Sequence, residues 1–317
     1  MRHQREMSAA IAIGALALVL AAVAPGYFSA ENLKDLFLGN APVLVVALGA
    51  TLVMLAGEID ISVGSVFAIC GVVAGITSKL GMPVAVAALA ACAAGALLGT
   101  VNGVLVAYLR IPSIVVTLAT MVALRDGLRW STEGAWIENL PRRFQWLGLT
   151  QGSYPWVMLA GVAGLTIVIA WTMRHLAAGR AIYATGSNAD AARLAGLDAA
   201  LVKASVFIMA GTWTGLAALL NSVRFNQIPS NAGLGLEMKV IASVVVGGTA
   251  ITGGRGTIAG TVLGVVLLGA IGPALTFLGV SAYWERAIQG GIILTGVTVD
   301  AIRSRGKKRI RALAMSV

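Results

Sequence analysis

Long apolar runs separated by short polar segments dominate this chain. The stretches without Asp, Glu, Lys or Arg cover residues 7–30, 36–57, 61–78, 80–109, 111–124, 144–173, 204–223, 240–254, 256–284 and 287–299. A helix needs about 20 apolar residues to cross a bilayer, and most of these runs reach that length. The pattern predicts an all-α polytopic membrane protein with about ten transmembrane helices, and counts between about eight and eleven are compatible with it.

Three of the runs, 111–124, 240–254 and 287–299, are short for a full crossing. Each either extends past a flanking charge or forms a broken or re-entrant helix. Discontinuous helices are typical of the places where a transporter lines its pathway.

The composition excludes several other classes of protein. The chain has 317 residues, of which 58% are hydrophobic and 11% are charged, so neither a soluble domain nor a disordered chain fits. Two cysteines and two histidines are too few for a disulfide framework or a zinc site built from them. The net charge of +10 is explained by cationic loops on the cytoplasmic side, without nucleic acid as a partner.

The distribution of cations predicts the topology. With the N-terminus in the cytoplasm and alternating spans, 14 of the 23 Lys and Arg residues fall on the cytoplasmic side. Both termini are then cytoplasmic, and the number of spans is even. The first apolar run is longer than a signal-peptide core, which favours an uncleaved first helix.

We interpret residues 1–317 as one transmembrane domain with two long loops. The cytoplasmic loop, about 174–203, contains a short helix that Ser187 or Asn188 can cap and Gly196 can close. A plain connector would not need about thirty residues, so a docking surface is favoured. The outer loop, about 125–153, contains Arg142 and Arg143 in a tryptophan-rich stretch, which suits either an acidic partner or simple solvation.

Polar groups inside the apolar runs are candidates for a solute pathway. Glu58 and Asp60 interrupt some forty apolar residues, and ionisable groups at that depth are functional candidates. The alternative is a tight turn in which Asp60 caps the next helix. Other pathway candidates are Asn102, Thr117, Asn221, Glu237 and Thr249. The alternative for the uncharged ones is a hydrogen bond to their own helix or to a neighbouring one. The sequence contains no P-loop and no cluster of catalytic or metal-ligating residues, so we expect neither an enzyme nor a bound cofactor.

Several motifs resemble the ribose-type permeases of ABC importers, in the branched-chain amino acid and sugar permease superfamily. They are residues 57–65 (GEIDISVGS), 102–120, 179–196, 233–237 and 247–256, which occur in order along most of the chain. Within that family, residues 134–141 and 228–239 are most similar to the rhamnose and autoinducer-2 permeases. One departure is Arg125-Asp126-Gly127, where the family usually has Arg-Gly.

The resemblance implies a type II importer fold and a permease subunit for a sugar or a sugar-like polyol. It also implies a periplasmic binding protein, a second permease subunit, and a cytoplasmic ATPase that binds the ATP. The motif residues are Glu58, Asp60, Ser62 and Gly64. The residues expected to couple to the ATPase are Gly179, Arg180, Gly186, Asn188, Ala191, Ala192, Arg193 and Gly196. Candidates for docking the binding protein are Arg142, Arg143, Arg129 and Arg224.

The main rival is a secondary transporter that couples to an ion through Glu58, Asp60 or Glu237. A membrane enzyme is less favoured, because a catalytic cluster is missing from the sequence. The same scaffold also carries amino acids and nucleosides in the resembled superfamily, so the sequence leaves the solute open.

The predicted topology can be tested by cysteine labelling. In a variant with Cys70 and Cys92 replaced, a single Gln145→Cys substitution should react with an impermeant thiol reagent from the periplasmic side. Reaction from the cytoplasmic side alone would contradict the alternating arrangement.

Overall fold

The computed structural model describes residues 2–281, 283–295 and 298, and the regular structure in this part of the chain is helical. The helices are α1 (Arg2–Val23), α2 (Ala30–Leu55), α3 (Val63–Lys79), α4 (Val84–Ala107), α5 (Ser113–Ser131), α6 (Tyr154–His175), α7 (Ala177–Ser187), α8 (Ala189–Leu194), α9 (Ala199–Ser222), α10 (Leu236–Val246) and α11 (Ile258–Phe277). Residues 284–295 form a further helix, α12. Short 3-10 turns occupy Pro25–Phe28 and Gln145–Gly148.

Five of the described helices, α2, α4, α6, α9 and α11, are long and apolar enough to cross a membrane. This confirms the polytopic helical class but does not establish the predicted number of ten spans. The apolar part of α1 and all of α3 are shorter. The C-terminal cations of the topology prediction, from Arg303 to Arg311, lie outside the described residues.

The short apolar runs have different outcomes. The run 111–124 belongs to α5, which continues through Arg125 to Ser131, so the outer loop begins later than the charge pattern suggested. By contrast, α10 contains only 11 residues and spans about half of the hydrocarbon core. The run 240–254 therefore forms a helix too short to cross the membrane, which agrees with the alternative of a broken or re-entrant helix.

The helix α2 forms the centre of the bundle. Almost every residue from Ala41 to Leu55 is buried, and α2 packs against α6, α7, α9, α10 and α11. A helix that is apolar on all sides is stable only when neighbours surround it or when it faces lipid. Here the neighbouring helices surround it.

Glycines bring α4 and α9 into backbone contact. Gly95, Gly99 and Gly103 repeat every four residues along one face of α4. They lie against the backbone of α9 at Gly211, Phe207 and Ala204. A methyl group at Gly95 would overlap the carbonyl oxygen of Gly211. Small residues at this spacing let two membrane helices approach closely.

The loops separate into two groups at opposite ends of α9. Near its first residues, Lys203 lies close to Glu58, Arg110 and Arg193 around a small cavity. Beyond its last residues, Ile228 pairs with Ile137 through two backbone hydrogen bonds. The 24 residues of α9 separate these groups by about 36 Å. We call them the inner end and the outer end, because the charge pattern predicts them to be cytoplasmic and periplasmic.

The contact between α4 and α9 gives a stability prediction. Gly95→Ala should destabilise the protein by about 1–3 kcal/mol, the usual cost of overpacking, because its methyl group meets a backbone carbonyl. The matched control is Gly164→Ala within α6, where no heavy atom lies within 4 Å of an added Cβ. Thermal unfolding in detergent should show a lower melting temperature for Gly95→Ala alone. Equal melting temperatures would show that the two helices can move apart.

Candidate functional site

An irregular segment, residues 57–62, connects α2 to α3 inside the bundle. The Ser113 hydroxyl oxygen accepts a hydrogen bond from the Ile59 backbone N–H at 3.2 Å. The Thr117 hydroxyl donates to the Ser113 carbonyl of its own helix at 2.8 Å and also lies 3.3 Å from the Ile59 carbonyl. Irregular backbone is tolerated at membrane depth only where protein groups or a water-filled cavity satisfy it. The start of α5 supplies those groups here.

Asp60 organises the polar end of this segment. Its Oδ1 accepts from the Ser62 backbone N–H at 2.8 Å and from the Ser62 hydroxyl at 2.6 Å. The amide of Asn102, from α4, donates to the same hydroxyl oxygen at 2.9 Å. The N-cap of α3 is Ser62, which makes no side-chain capping bond. Asp60 therefore closes the turn before α3 rather than capping the helix.

The N-termini of α3 and α10 meet near the middle of the bundle. Gly64, in the first turn of α3, lies against the carbonyl of Gly233 and the side chain of Glu237. A methyl group at Gly64 would overlap both. Ser65 donates to the carbonyl of Met121, eight residues into α5, which places the contact about 12 Å from the inner end of that helix. Only glycine at this position permits the two helices to meet.

Glu237 is held between these helix ends and an arginine of α5. Its Oε1 lies 3.1 Å from Nη2 of Arg125, and the side chains are 7% and 24% exposed. The N-terminus of a helix carries a partial positive charge, so it also favours a carboxylate. Within the described residues, Oε2 of Glu237 has no hydrogen-bond partner. We call Asp60, Ser62, Asn102, Thr117, Arg125 and Glu237 the polar layer.

The structure brings three of the five pathway candidates together. Asn102, Thr117 and Glu237 belong to the polar layer, whereas Asn221 lies near the outer end of α9. Thr249 is buried in the loop after α10, with Gly256 beside it. Arg125 was missed, because its charge suggested a loop. The buried carboxylate at Glu237 was the available signal that a cation should lie nearby.

At the inner end, segment 174–203, which the charge pattern predicts to be cytoplasmic, packs tightly against the membrane helices. A methyl group at Gly186, in α7, would overlap the carbonyl of Leu55 at the end of α2. Gly254 lies in the same contact and donates to that carbonyl at 2.9 Å. Tyr183 donates to the carbonyl of Gly256 at 2.9 Å. Thus α7 touches both the end of α2 and the loop between α10 and α11.

A second inner contact involves the motif residue Glu58. Its carboxylate forms an ion pair with Lys203 in the first turns of α9. The pair joins the segment 57–62 to the helix that follows the cytoplasmic loop. Two predicted coupling residues make contacts within the protein near the start of this loop. Gly179 packs against Met173, and Arg180 donates to the carbonyl of His175 at 3.0 Å.

The short helix predicted in the cytoplasmic loop is confirmed as α8. Asn188 caps it by accepting from the backbone N–H groups of Asp190 and Ala191, both at 3.1 Å. Gly196 follows it with φ of +83°, a left-handed conformation that glycine adopts readily. Ala192 is only 4% exposed, whereas Leu194 is 91% exposed. The large apolar side chain that this helix exposes is therefore Leu194, with Ala191 exposed beside it.

The four arginines proposed for docking differ in exposure. Arg129, Arg142 and Arg143 are exposed at the outer end. Arg224 instead points into the protein, where Nη1 donates to the carbonyl of Leu38 at 2.8 Å. Its burial lowers the pKa of the guanidinium. This position favours a structural role for Arg224.

The comparisons with known proteins agree with this arrangement. Residues 32–296 match the family model described as branched-chain amino acid transport system / permease component. The chain belongs to this family, and it is a multi-pass inner-membrane permease of the ABC-importer type, whose relatives are transport permeases and not enzymes.

Its similar relatives are autoinducer 2 import system permease proteins LsrC. The protein from Salmonella typhi is 38% identical over 303 residues, which cover 94% of this chain and 86% of the relative. The protein from Enterobacter sp. (strain 638) is 37% identical over 315 residues, covering 98% of this chain and 91% of the relative. No solved structure matches the chain. The resemblance seen in the motifs is thereby confirmed.

The pair formed by Arg125 and Glu237 gives a second stability prediction. Arg125→Met should destabilise the protein by about 1–3 kcal/mol, less than the loss of a fully buried pair, because Arg125 is partly exposed. Arg129→Met is the matched control, one turn further along α5 and exposed. Denaturation in detergent should give a lower free energy of unfolding for Arg125→Met than for Arg129→Met. If Arg125→Met is as stable as Arg129→Met, the pair does not hold α10 in place.

Proposed function

We propose that this permease carries a small polyhydroxylated solute of the autoinducer-2 or sugar class into the cytoplasm. A periplasmic binding protein would deliver the solute, and a cytoplasmic ATPase would supply the energy. The observation that carries this proposal is the 36–38% identity to the autoinducer 2 permeases over almost the whole chain. The polar layer supports it, because a polyol needs hydrogen-bonding groups where the helices are broken.

The charges of the polar layer favour an ATP-driven permease over an ion-coupled transporter. Each candidate carboxylate already has a partner: Glu58 has Lys203, Asp60 has Ser62 and Glu237 has Arg125. A carboxylate that must bind and release a coupling ion would have to break these contacts in every cycle.

The segment of α7 and α8 is the proposed contact with the ATPase. Leu194 offers an apolar side chain at the surface, and the packing of Gly186 on Leu55 connects this surface to α2. If α8 moved, α7 would therefore push or pull the end of α2 through this backbone contact. Ala192 is buried, so it would support the helix rather than touch the ATPase.

The remaining partners are a second permease subunit, membrane lipid and the binding protein. For the binding protein, we propose docking on Arg142 and Arg143, with Arg129 as a further contact, because exposed arginines pair well with carboxylates. Such contacts should weaken as salt is raised.

The proposed function can be tested in proteoliposomes with the permease, its ATPase and its binding protein. Autoinducer 2 should accumulate inside when ATP is present on the ATPase side, and an ionophore should leave uptake unchanged. Uptake that an ionophore abolishes, with ATP present, would support the secondary transporter instead.

The same assay tests the coupling surface. Leu194→Asp should lower uptake and stimulated ATP hydrolysis about tenfold or more, because it places a charge in an apolar interface at a cost of at least ~1.4 kcal/mol. Leu176→Asp is the control, a leucine before α7 that is 42% exposed. Wild-type hydrolysis in Leu194→Asp would exclude α8 as the contact.

A further inference from the structure

A large cavity lies between the start of α10 and helix α12. It has a volume of about 810 Å³ and is lined by residues 234–239, by Ser281 and Tyr283, and by Glu285, Arg286, Gln289, Gly290 and Ile293 of α12. Cavities that bind small molecules usually have volumes of about 300–1,000 Å³. The segment between α11 and α12 follows Phe277, whose ring contacts Tyr27 near the start of α2. This places the cavity toward the outer end of the bundle.

The charged groups of the wall balance one another. Lys239 Nζ lies 3.8 Å from Oε1 of Glu285, and Gln289 donates to the same oxygen at 3.0 Å. Glu237 and Arg286 add one charge of each sign. A wall with two cations and two carboxylates selects neither anions nor cations by charge. It does offer several donors and acceptors, which suits a neutral solute with several hydroxyl groups.

The positions of two wall groups are fixed by packing. Glu285 lies against Gly272 of α11, where an added methyl group would be 2.5 Å from Oε2. Gln289 is 5% exposed. Polar groups held in place in this way bind a ligand at a lower cost in conformational entropy than mobile surface groups.

The cavity also borders the polar layer. Glu237 belongs to both, since it lines the cavity and pairs with Arg125. Its second carboxylate oxygen is buried without a hydrogen-bond donor in the described part of the chain. That oxygen lies against Gly64 of α3, so a solute hydroxyl group would satisfy it only once α3 and α10 move apart.

We propose that this cavity is a solute-binding vestibule for a neutral polyol, with Gln289, Glu285 and Lys239 as its polar wall and Glu237 at its inner limit. The proposal rests on the proposed function, because it names the place where the delivered solute first meets the permease. The vestibule passes the solute to the polar layer when the broken helices move.

The test uses the complete importer in proteoliposomes, with autoinducer 2 as the solute. Gln289→Leu keeps the approximate volume but removes the hydrogen bonds. It should lower the solute imported per ATP hydrolysed about fivefold, the order expected for one lost hydrogen bond. Hydrolysis stimulated by the binding protein should be unchanged. Gln151→Leu, the same substitution in the exposed outer loop, should leave both quantities at the wild-type value.

A second variant separates solute binding from folding. Lys239→Glu places a third carboxylate in the wall, and adding Glu285→Lys restores a pair of opposite charges. Thermal unfolding in detergent checks the folding of both variants, because a lysine at position 285 cannot accept the hydrogen bond from Gln289. If both residues contact the solute, import per ATP falls in Lys239→Glu and stays equally low in the exchanged protein. Full recovery there, or wild-type import in Gln289→Leu, would overturn the vestibule and indicate that lipid or the second subunit fills the cavity. If the wild type imports neither autoinducer 2 nor a sugar such as rhamnose or ribose, the proposed function is contradicted instead.

Discussion

The close backbone contact between α4 and α9 is the constraint on which the rest of the structure depends. Glycines along α4 remove the side chains that would hold the helices apart, and the carbonyls of α9 occupy that space. Because α4 is held there, Asn102 reaches Ser62. Because α9 is held there, Lys203 reaches Glu58 at the inner end. Dispersion contacts between small residues drive such association in a bilayer, where burial of apolar surface does not.

A second constraint is that every backbone polar group inside a membrane needs a partner. The backbone of segment 57–62 is not helical. The hydroxyl groups of Ser113 and Thr117 instead contact the N–H and the carbonyl of Ile59. The break lets α3 begin inside the bundle, where its N-terminus faces that of α10. Two helix N-termini attract Glu237, and Arg125 balances its charge. The polar layer is thus a consequence of the two broken helices.

The inner contacts suggest how ATP hydrolysis would act on that layer. Helix α7 touches the end of α2 and the loop between α10 and α11, which are the elements next to both breaks. Close-packed backbone contacts transmit displacement with little loss, because they cannot be compressed. A movement of α8 would then change the distance between the N-termini of α3 and α10. The proposed vestibule lies on the other side of that junction, so solute would pass from it when the junction opens.

Local features of the sequence were sufficient for part of this structure. Apolar runs predicted the helical membrane class, and Asn188 with Gly196 predicted the short helix α8, because hydropathy and capping depend on neighbouring residues. For the motif 57–65, a tight turn was one of the two interpretations, and Asp60 does close a turn there. The sequence left open whether the run 111–124 extends past Arg125, which α5 does. It did not predict that Ala192 is buried while Leu194 is exposed, or that α10 and α12 border a cavity. Arg125 and Glu237 are 112 residues apart, and only the packing of α5 against α3 and α10 brings their charges together. A charge in a membrane helix is tolerated where a distant partner meets it, so the tertiary structure decides its place.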